Sequence, residues 1–225
     1  MSDQKLPVGP IVPDSTRTIP QFGSHLGQSV RLAPLDHSHL GDLWLAAERA
    51  DASWTYLRYG PFNTEADLAD HIQRIAARPE QPFFAIVPLS SGKAEGWASF
   101  GDISTSNASI EIGSIWFSPR LQRTRAATEA IYLMMKHAFE LGYHRIVWRC
   151  NALNAASMRA AQRFGFVHEG TWREAEIVKG RRRDTAWFSI LETEWPEQQQ
   201  RFDAWLADCN FDAAGKAKQS LNSHD

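Results

Sequence analysis

The chain has 225 residues, 43% of them hydrophobic, with nine Trp and twelve Phe, enough apolar material for one packed domain with tails. A formal net charge of −2 leaves no broad basic surface and argues against nucleic acid or an acidic membrane as the main partner. Two cysteines, Cys150 and Cys209, cannot build a disulfide framework and lack metal-site spacing. No stretch approaches the ~18 apolar residues of a membrane span, so a soluble, cytoplasmic protein without metal is expected.

Residues 1–27 mix Pro, Gly, Ser and Asp without a period and are expected to form a flexible N-terminal arm. A folded domain is expected over 28–210 and a flexible tail over 211–225. Within the domain, Ser29-Val30-Arg31-Leu32 predicts a first strand. An amphipathic helix follows, with Asp36 as N-cap and Leu40, Leu43, Trp44 and Ala47 on one face. Asn63 or Thr64 can cap a second helix with Leu68, Ile72 and Ile75 inward, ending before Pro79. Phe83 to Leu89, Ala94 to Phe100 and Ser109 to Phe117 predict an antiparallel meander. Helical spacing of Ala127, Ala130, Ile131, Met134, Met135 and Ala138 predicts a helix over Thr124 to Leu141, and Arg145 to Cys150 a strand after it. That strand–helix–strand order fits a right-handed crossover between parallel strands, so the sheet should be mixed. Asn154 opens a shorter helix, Thr171 to Val178 and Thr185 to Leu191 predict two more strands, and Pro196 to Cys209 a last helix.

Between the third meander strand and the crossover helix lies Gln122-Arg123-Thr124-Arg125-Ala126-Ala127. A helix start carries partial positive charge and unpaired N–H groups, so Arg120, Arg123 and Arg125 gathered there have the wrong sign for helix stability. An anionic ligand accounts for them; a plain basic loop is the alternative.

These motifs in this order, Gln122-x-x-x-x-Ala127, Ala127-Thr128-Glu129-Ala130, Asn154-x-x-Ser157 and Phe164-Gly165-Phe166-x-x-Glu169-Gly170, resemble the GNAT superfamily of acetyl-CoA-dependent N-acetyltransferases, in its RimJ/RimL-like subgroup. The resemblance covers roughly Val30 to Trp195. It implies an α+β, three-layer fold with a mixed central sheet of about seven strands flanked by helices, and an N-acetyltransferase that uses acetyl-CoA and no metal. Its acceptor would be a primary amine on a small molecule or a protein N-terminus. Acetyl-CoA and that amine are the implied partners, with room for a homodimer.

The resemblance also assigns roles. Gln122, Arg123, Thr124, Arg125, Ala126 and Ala127 would wrap the CoA pyrophosphate, although Arg125 stands where the family usually has glycine. It either offers a phosphate a charge-assisted contact or is a solvated arginine on a variant loop. Backbone N–H groups around Ile115, Trp116 and Phe117 would polarise the thioester carbonyl. Glu111, on the strand before the loop, is the candidate base; strand alternation puts it on one face with Gly113, Ile115 and Phe117. An ordinary strand carboxylate is the rival account. The position of the family's usual acid, a tyrosine, is Ala161 here. Ser157 is the substitute implied and Asn154 a CoA contact, although both also suit a plain helix cap. The departures at Ala161 and Arg125 keep open a non-catalytic acyl-CoA-binding module.

The segment Trp54 to Phe62 carries four aromatics. Trp54, Tyr56, Tyr59 and Phe62 would wall the acceptor pocket, or else pin the loop to the core. Lys179 and Arg181-Arg182-Arg183 are expected at a solvated hairpin tip.

Overall fold

The computed structural model describes residues 6–12 and 17–222. Eight strands make one mixed sheet: β1 (His25–Leu26), β2 (Val30–Pro34), β3 (Phe83–Pro88), β4 (Gly96–Ser104), β5 (Ser109–Phe117), β6 (Arg145–Asn151), β7 (Val167–Val178) and β8 (Arg181–Leu191), in the order β1-β2-β3-β4-β5-β6-β8-β7. The eighth strand relative to expectation is β1, which at two residues is too short to show a period. Only β5 and β6 run parallel, joined by helix α3 (Arg125–Glu140); the other neighbours are antiparallel.

Side-chain alternation along the strands divides the core in two. Ala85, Val87, Trp97 and Trp116 face helices α1 (Leu40–Ala47) and α2 (Glu65–Ala76). Phe84, Ile86, Ala98, Phe100, Ile110 and Ile112 face α3, α4 (Ala155–Arg163) and α5 (Trp195–Leu206). The helix ends follow local chemistry. Thr64 caps α2 in a reciprocal box, Thr64 Oγ1 accepting from the Asp67 amide and Asp67 from the Thr64 amide, both at 3.1 Å. Asp36 caps a 3-10 turn, His37–His39, from which α1 continues. At the end of α4, Gly165 takes φ +89° and the Phe166 amide bonds back to the Ala161 carbonyl at 3.0 Å. That left-handed stop explains the glycine between two phenylalanines.

Parts of both segments expected to be flexible are docked. Arg17 Nε donates to the Gly142 carbonyl at 3.1 Å, and β1 pairs with β2. Beyond α5, Trp205 Nε1 donates to the Gln219 carbonyl at 3.0 Å and Leu221 is buried. The folded unit therefore extends past the expected limits of 28 and 210. The remainder of the expected arm and tail, residues 1–5, 13–16 and 223–225, lies outside the described residues.

One feature of the sheet prepares a site. β5 and β6 pair only at Ser109↔Arg145, Ile110↔Ile146 and Glu111↔Val147, although β5 continues to Phe117 and β6 to Asn151. Past Glu111 the two strands part, while β6 stays paired to β8 along its whole length. The sheet opens in its middle, and among the described residues that edge of β5 has no strand beside it.

Candidate active site at the strand opening

The opening is shaped by a bulge in β5. Register with β4 shifts between Ser99↔Gly113 and Trp97↔Trp116, and Ser114 takes φ +49°. Polar contacts hold it. The Tyr59 hydroxyl donates to the Ser114 carbonyl (3.2 Å) and accepts from Trp97 Nε1 (3.1 Å). Gln81 Nε2 donates to Ser114 Oγ (3.0 Å) and Ser99 Oγ (3.1 Å). Burial pushes the Tyr59 pKa to about 12, so it stays a neutral donor. The bulge corrects the simple alternation: beyond it, Ile115 and Phe117 pack toward the α3 side and Trp116 toward the α1–α2 side. Glu111 lies on the face opposite Ile110 and Ile112, so it no longer shares a face with Ile115 and Phe117.

Glu111 is 9% exposed and its carboxylate folds back over Gly113, where a Cβ would stand 2.7 Å from Oε1. Arg149, on β6, donates through Nη2 to Glu111 Oε2 and also meets Asp102 Oδ2 at 2.5 Å; its guanidinium lies 4.9 Å from the Trp187 ring. Burial raises the Glu111 pKa, with Arg149 pulling the other way. Burial also disfavours the Arg149 charge, but the Glu111 and Asp102 carboxylates outweigh it and hold that pKa above the usual value. Sequence reasoning missed Arg149 and Asp102. The available signal for Arg149 was a charge inside the run Ile146 to Cys150, apolar but for it; Asp102 carries none.

At the start of α3, Thr124 is the N-cap: its Oγ1 accepts from the Ala127 amide at 3.1 Å. That leaves the amides of Arg125 and Ala126 without an intrahelical acceptor, and no acid stands in the first turn. Gln122 Nε2 donates to the Phe117 carbonyl at 3.0 Å, tying this loop to the end of β5. The three arginines separate. Arg120 reaches Glu95 at 3.4 Å. Arg123 takes φ +63°, is exposed, and makes no ion pair among the described residues. Arg125 is neither solvated nor free: Nη2 bonds Gln28 Oε1 and Asp208 Oδ1, both at 2.8 Å, and the Leu206 carbonyl, with Phe211 4.5 Å beneath. A cleft of ≈ 420 Å³ lies alongside, lined in part by Thr124, Arg125 and Ala126.

Across the opening, Asn154 Oδ1 accepts from the Ser157 amide at 3.1 Å, so Asn154 caps α4. Ser157 Oγ accepts from Trp148 Nε1 at 3.0 Å. Ala161 is fully buried. Among the four aromatics of the loop, Tyr56, Tyr59 and Phe62 are half-buried, whereas Trp54 is core rather than pocket wall, stacked 4.2 Å from Trp116. The hairpin residue Arg183, expected in a solvated tip, is also buried, because β8 begins at Arg181 and directs Arg183 into the sheet face.

Residues 29–167 match the model of the acetyltransferase (GNAT) domain. The chain belongs to the GNAT acetyltransferase family. A solved GCN5-related N-acetyltransferase from Brucella melitensis is 42% identical and superposes with a TM-score of 0.89, covering 92% of this chain and 95% of that one. The "putative ribosomal N-acetyltransferase YdaF" and the "uncharacterized N-acetyltransferase YnaD" of Bacillus subtilis (strain 168) are 29% identical over 108 residues and 34% over 87. These matches take in 48% and 38% of this chain, and 58% and 50% of the relatives' own lengths.

Proposed function

We propose that this GNAT protein transfers an acetyl group from acetyl-CoA to a primary amine by direct attack in a ternary complex. The observation that carries this is the parted β5–β6 pair, which offers an unpartnered strand edge beside a helix start free of acids, with a buried carboxylate on the face opposite α3. The donors suit acyl-CoA. The Arg125 and Ala126 amides and the Arg123 side chain would meet the pyrophosphate, and the β5 edge around Ile115–Phe117 the pantetheine and thioester carbonyl. Ala127 and Thr124 would shape that turn, and Asn154 would sit close to the thiol arm.

Glu111 takes the proton of the attacking ammonium, directly or through water, and so supplies the neutral amine nitrogen. The nitrogen bonds to the carbonyl carbon, β5 amides hold the oxyanion, and the C–S bond breaks to release thiolate. As the intermediate collapses the nitrogen gives up its second proton, and Ser157, whose Oγ accepts from Trp148 Nε1 and whose side chain also hydrogen-bonds that of Cys150, relays a proton to the sulfur to leave the CoA thiol. Tyr56, Tyr59 and Phe62 border the acceptor. The lack of a broad basic surface favours a small amine over a protein N-terminus. The non-catalytic acyl-CoA-binding reading keeps one supporting observation, the prior engagement of Glu111 by Arg149.

A thiol-release assay with acetyl-CoA and a panel of primary amines decides between them. Release with at least one amine, cut tenfold or more by Glu111→Gln at neutral pH, is expected. Tight CoA binding with no release from any amine would leave the binding module standing.

A further inference from the structure

Three residues of β8 have no role in the site so far. Arg183, Thr185 and Trp187 alternate along the strand and therefore share a face. It is the face of Arg149, because Trp187 pairs with Arg149 and Thr185 with Asn151 in the β6–β8 ladder. Arg183 Nε, Thr185 Oγ1 and Trp187 Nε1 are all buried and have no hydrogen-bond partner among the described residues. Arg183 is 6% exposed and Thr185 2%. The best contact of Arg183 is a 3.4 Å approach of Nη1 to Glu176. A buried donor without an acceptor costs on the order of 1–3 kcal/mol, and three such atoms on one strand face leave a place for a partner from outside the protein, water or ligand.

We propose that the acetyl acceptor is a small amino carboxylate bound as a zwitterion, its carboxylate held by Arg183, Thr185 and Trp187 and its amine directed at Glu111. This inference rests on the acetyltransfer reading above. The two oxygens of a carboxylate can accept from several donors at once; Thr185 stands midway between Arg183 and Trp187, which are roughly 13 Å apart along the strand, so a carboxylate centred over Thr185 is reached by the two long side chains leaning in from either side.

Charge balance points the same way. Arg58, Arg149 and Arg183 stand against Asp102, Glu111 and Glu176, linked by Arg58–Glu176 (2.6 Å), Arg183–Glu176 (3.4 Å), Arg149–Asp102 (2.5 Å) and Arg149–Glu111. Three cations and three anions cancel within these pairs, and Lys179, whose Nζ meets a backbone carbonyl and no carboxylate, adds a fourth cation beside them. A bare ammonium would add an uncompensated charge to this partly desolvated cluster, whereas a zwitterion adds one charge of each sign. Burial lowers the Arg183 pKa, so an added anion would relieve that residue directly. Arg58–Glu176 and the Lys179 Nζ bond to the Trp54 carbonyl (2.9 Å) tie the β7–β8 hairpin to the loop after α1. Entry of the ligand requires this clasp to part; Arg58, 57% exposed, is its accessible half.

The test is steady-state kinetics with acetyl-CoA and common α-, β- and γ-amino carboxylates, each beside its carboxamide and the matching alkylamine. At least one carboxylate is expected to exceed its carboxamide at least tenfold in kcat/KM. Thr185→Val and Arg183→Met should each cut that ratio several-fold, mainly through KM. Thr185→Val removes a hydroxyl that bonds nothing among the described residues, so it should fold normally and keep the test decisive even where Arg183→Met does not fold. Carboxamides or alkylamines used as well as carboxylates would overturn the zwitterion while leaving acetyl transfer intact. So would a ratio that survives Thr185→Val in a folded protein, the orphan atoms then holding only water. No turnover of any amine would remove the acetyltransfer reading and this inference with it.

Discussion

Glu111 and Arg149 stand on the two strands that part, and their contact gives the proposed base a distinctive pH dependence. A base works deprotonated, and burial raises the Glu111 pKa, so kcat/KM should fall, as pH drops, at a value above the ordinary glutamate range. Arg149 opposes that rise. Arg149→Met should therefore move the acid limb to higher pH, and Glu111→Gln should abolish it; a pH profile of kcat/KM measures both. An unmoved limb in Arg149→Met would show that Arg149 does not tune the base. Glu111 could be chosen from sequence because it is a carboxylate in the strand feeding the arginine loop. Arg149 could not, because its partner is 38 residues away and the parallel crossover between them is a tertiary event. Likewise, Trp54 in an aromatic loop is compatible with pocket or core, and only its stacking on Trp116 decides for core.

The start of α3 shows how an element's environment can change a residue's part. Alone, a helix opening with Arg125 and lacking an acid is poorly matched to its own dipole. In the fold, the Arg125 side chain joins the turn before β2, through Gln28, to the last residue of α5, Leu206, and to the segment after it, through Asp208 and Phe211. Arg125→Ala should cost about 1–3 kcal/mol by denaturant unfolding, as expected for lost charge-assisted hydrogen bonds. Deleting residues 211–225 should cost more, because it also removes buried Leu221 and the Trp205–Gln219 bond, and the two changes together should fall slightly short of their sum, since only the Phe211 contact is shared. Arg125→Gly, which restores the residue usual in the family, should loosen CoA binding by calorimetry. Tighter binding would mean that the latch has no part in holding the loop. Helix and strand periods were legible throughout this region; the latch was not, because the partners of Arg125 lie 81 to 97 residues away.

For the molecule as a whole, buried histidines should set acid stability. His71 is 7% exposed, and burial lowers its pKa from 6.5 to about 4, with Arg74 and Arg78 adding to the effect. The unfolded chain takes up this proton near pH 6.5, while the native state resists until about pH 4. Stability should therefore fall as pH drops through that window, by up to about 3 kcal/mol for this group. Burial lowers His25 and His137 as well. Urea unfolding at stepped pH should show the loss, and His71→Phe should flatten it; an unchanged slope would remove His71 as its source. The sequence by itself determined the element order, the mixed sheet with its crossover, and the helix start that invites an anion. Each of these depends on local periods, caps and turn chemistry written within a few residues. Only the tertiary structure decided where β5 and β6 part, which face Ile115 and Phe117 take past the bulge, that Arg125 is spent on the C-terminal segment, and that β8 turns Arg183, Thr185 and Trp187 to the face of Arg149. Those depend on register and on contacts between distant strands, where a shift of one residue exchanges the faces of a strand.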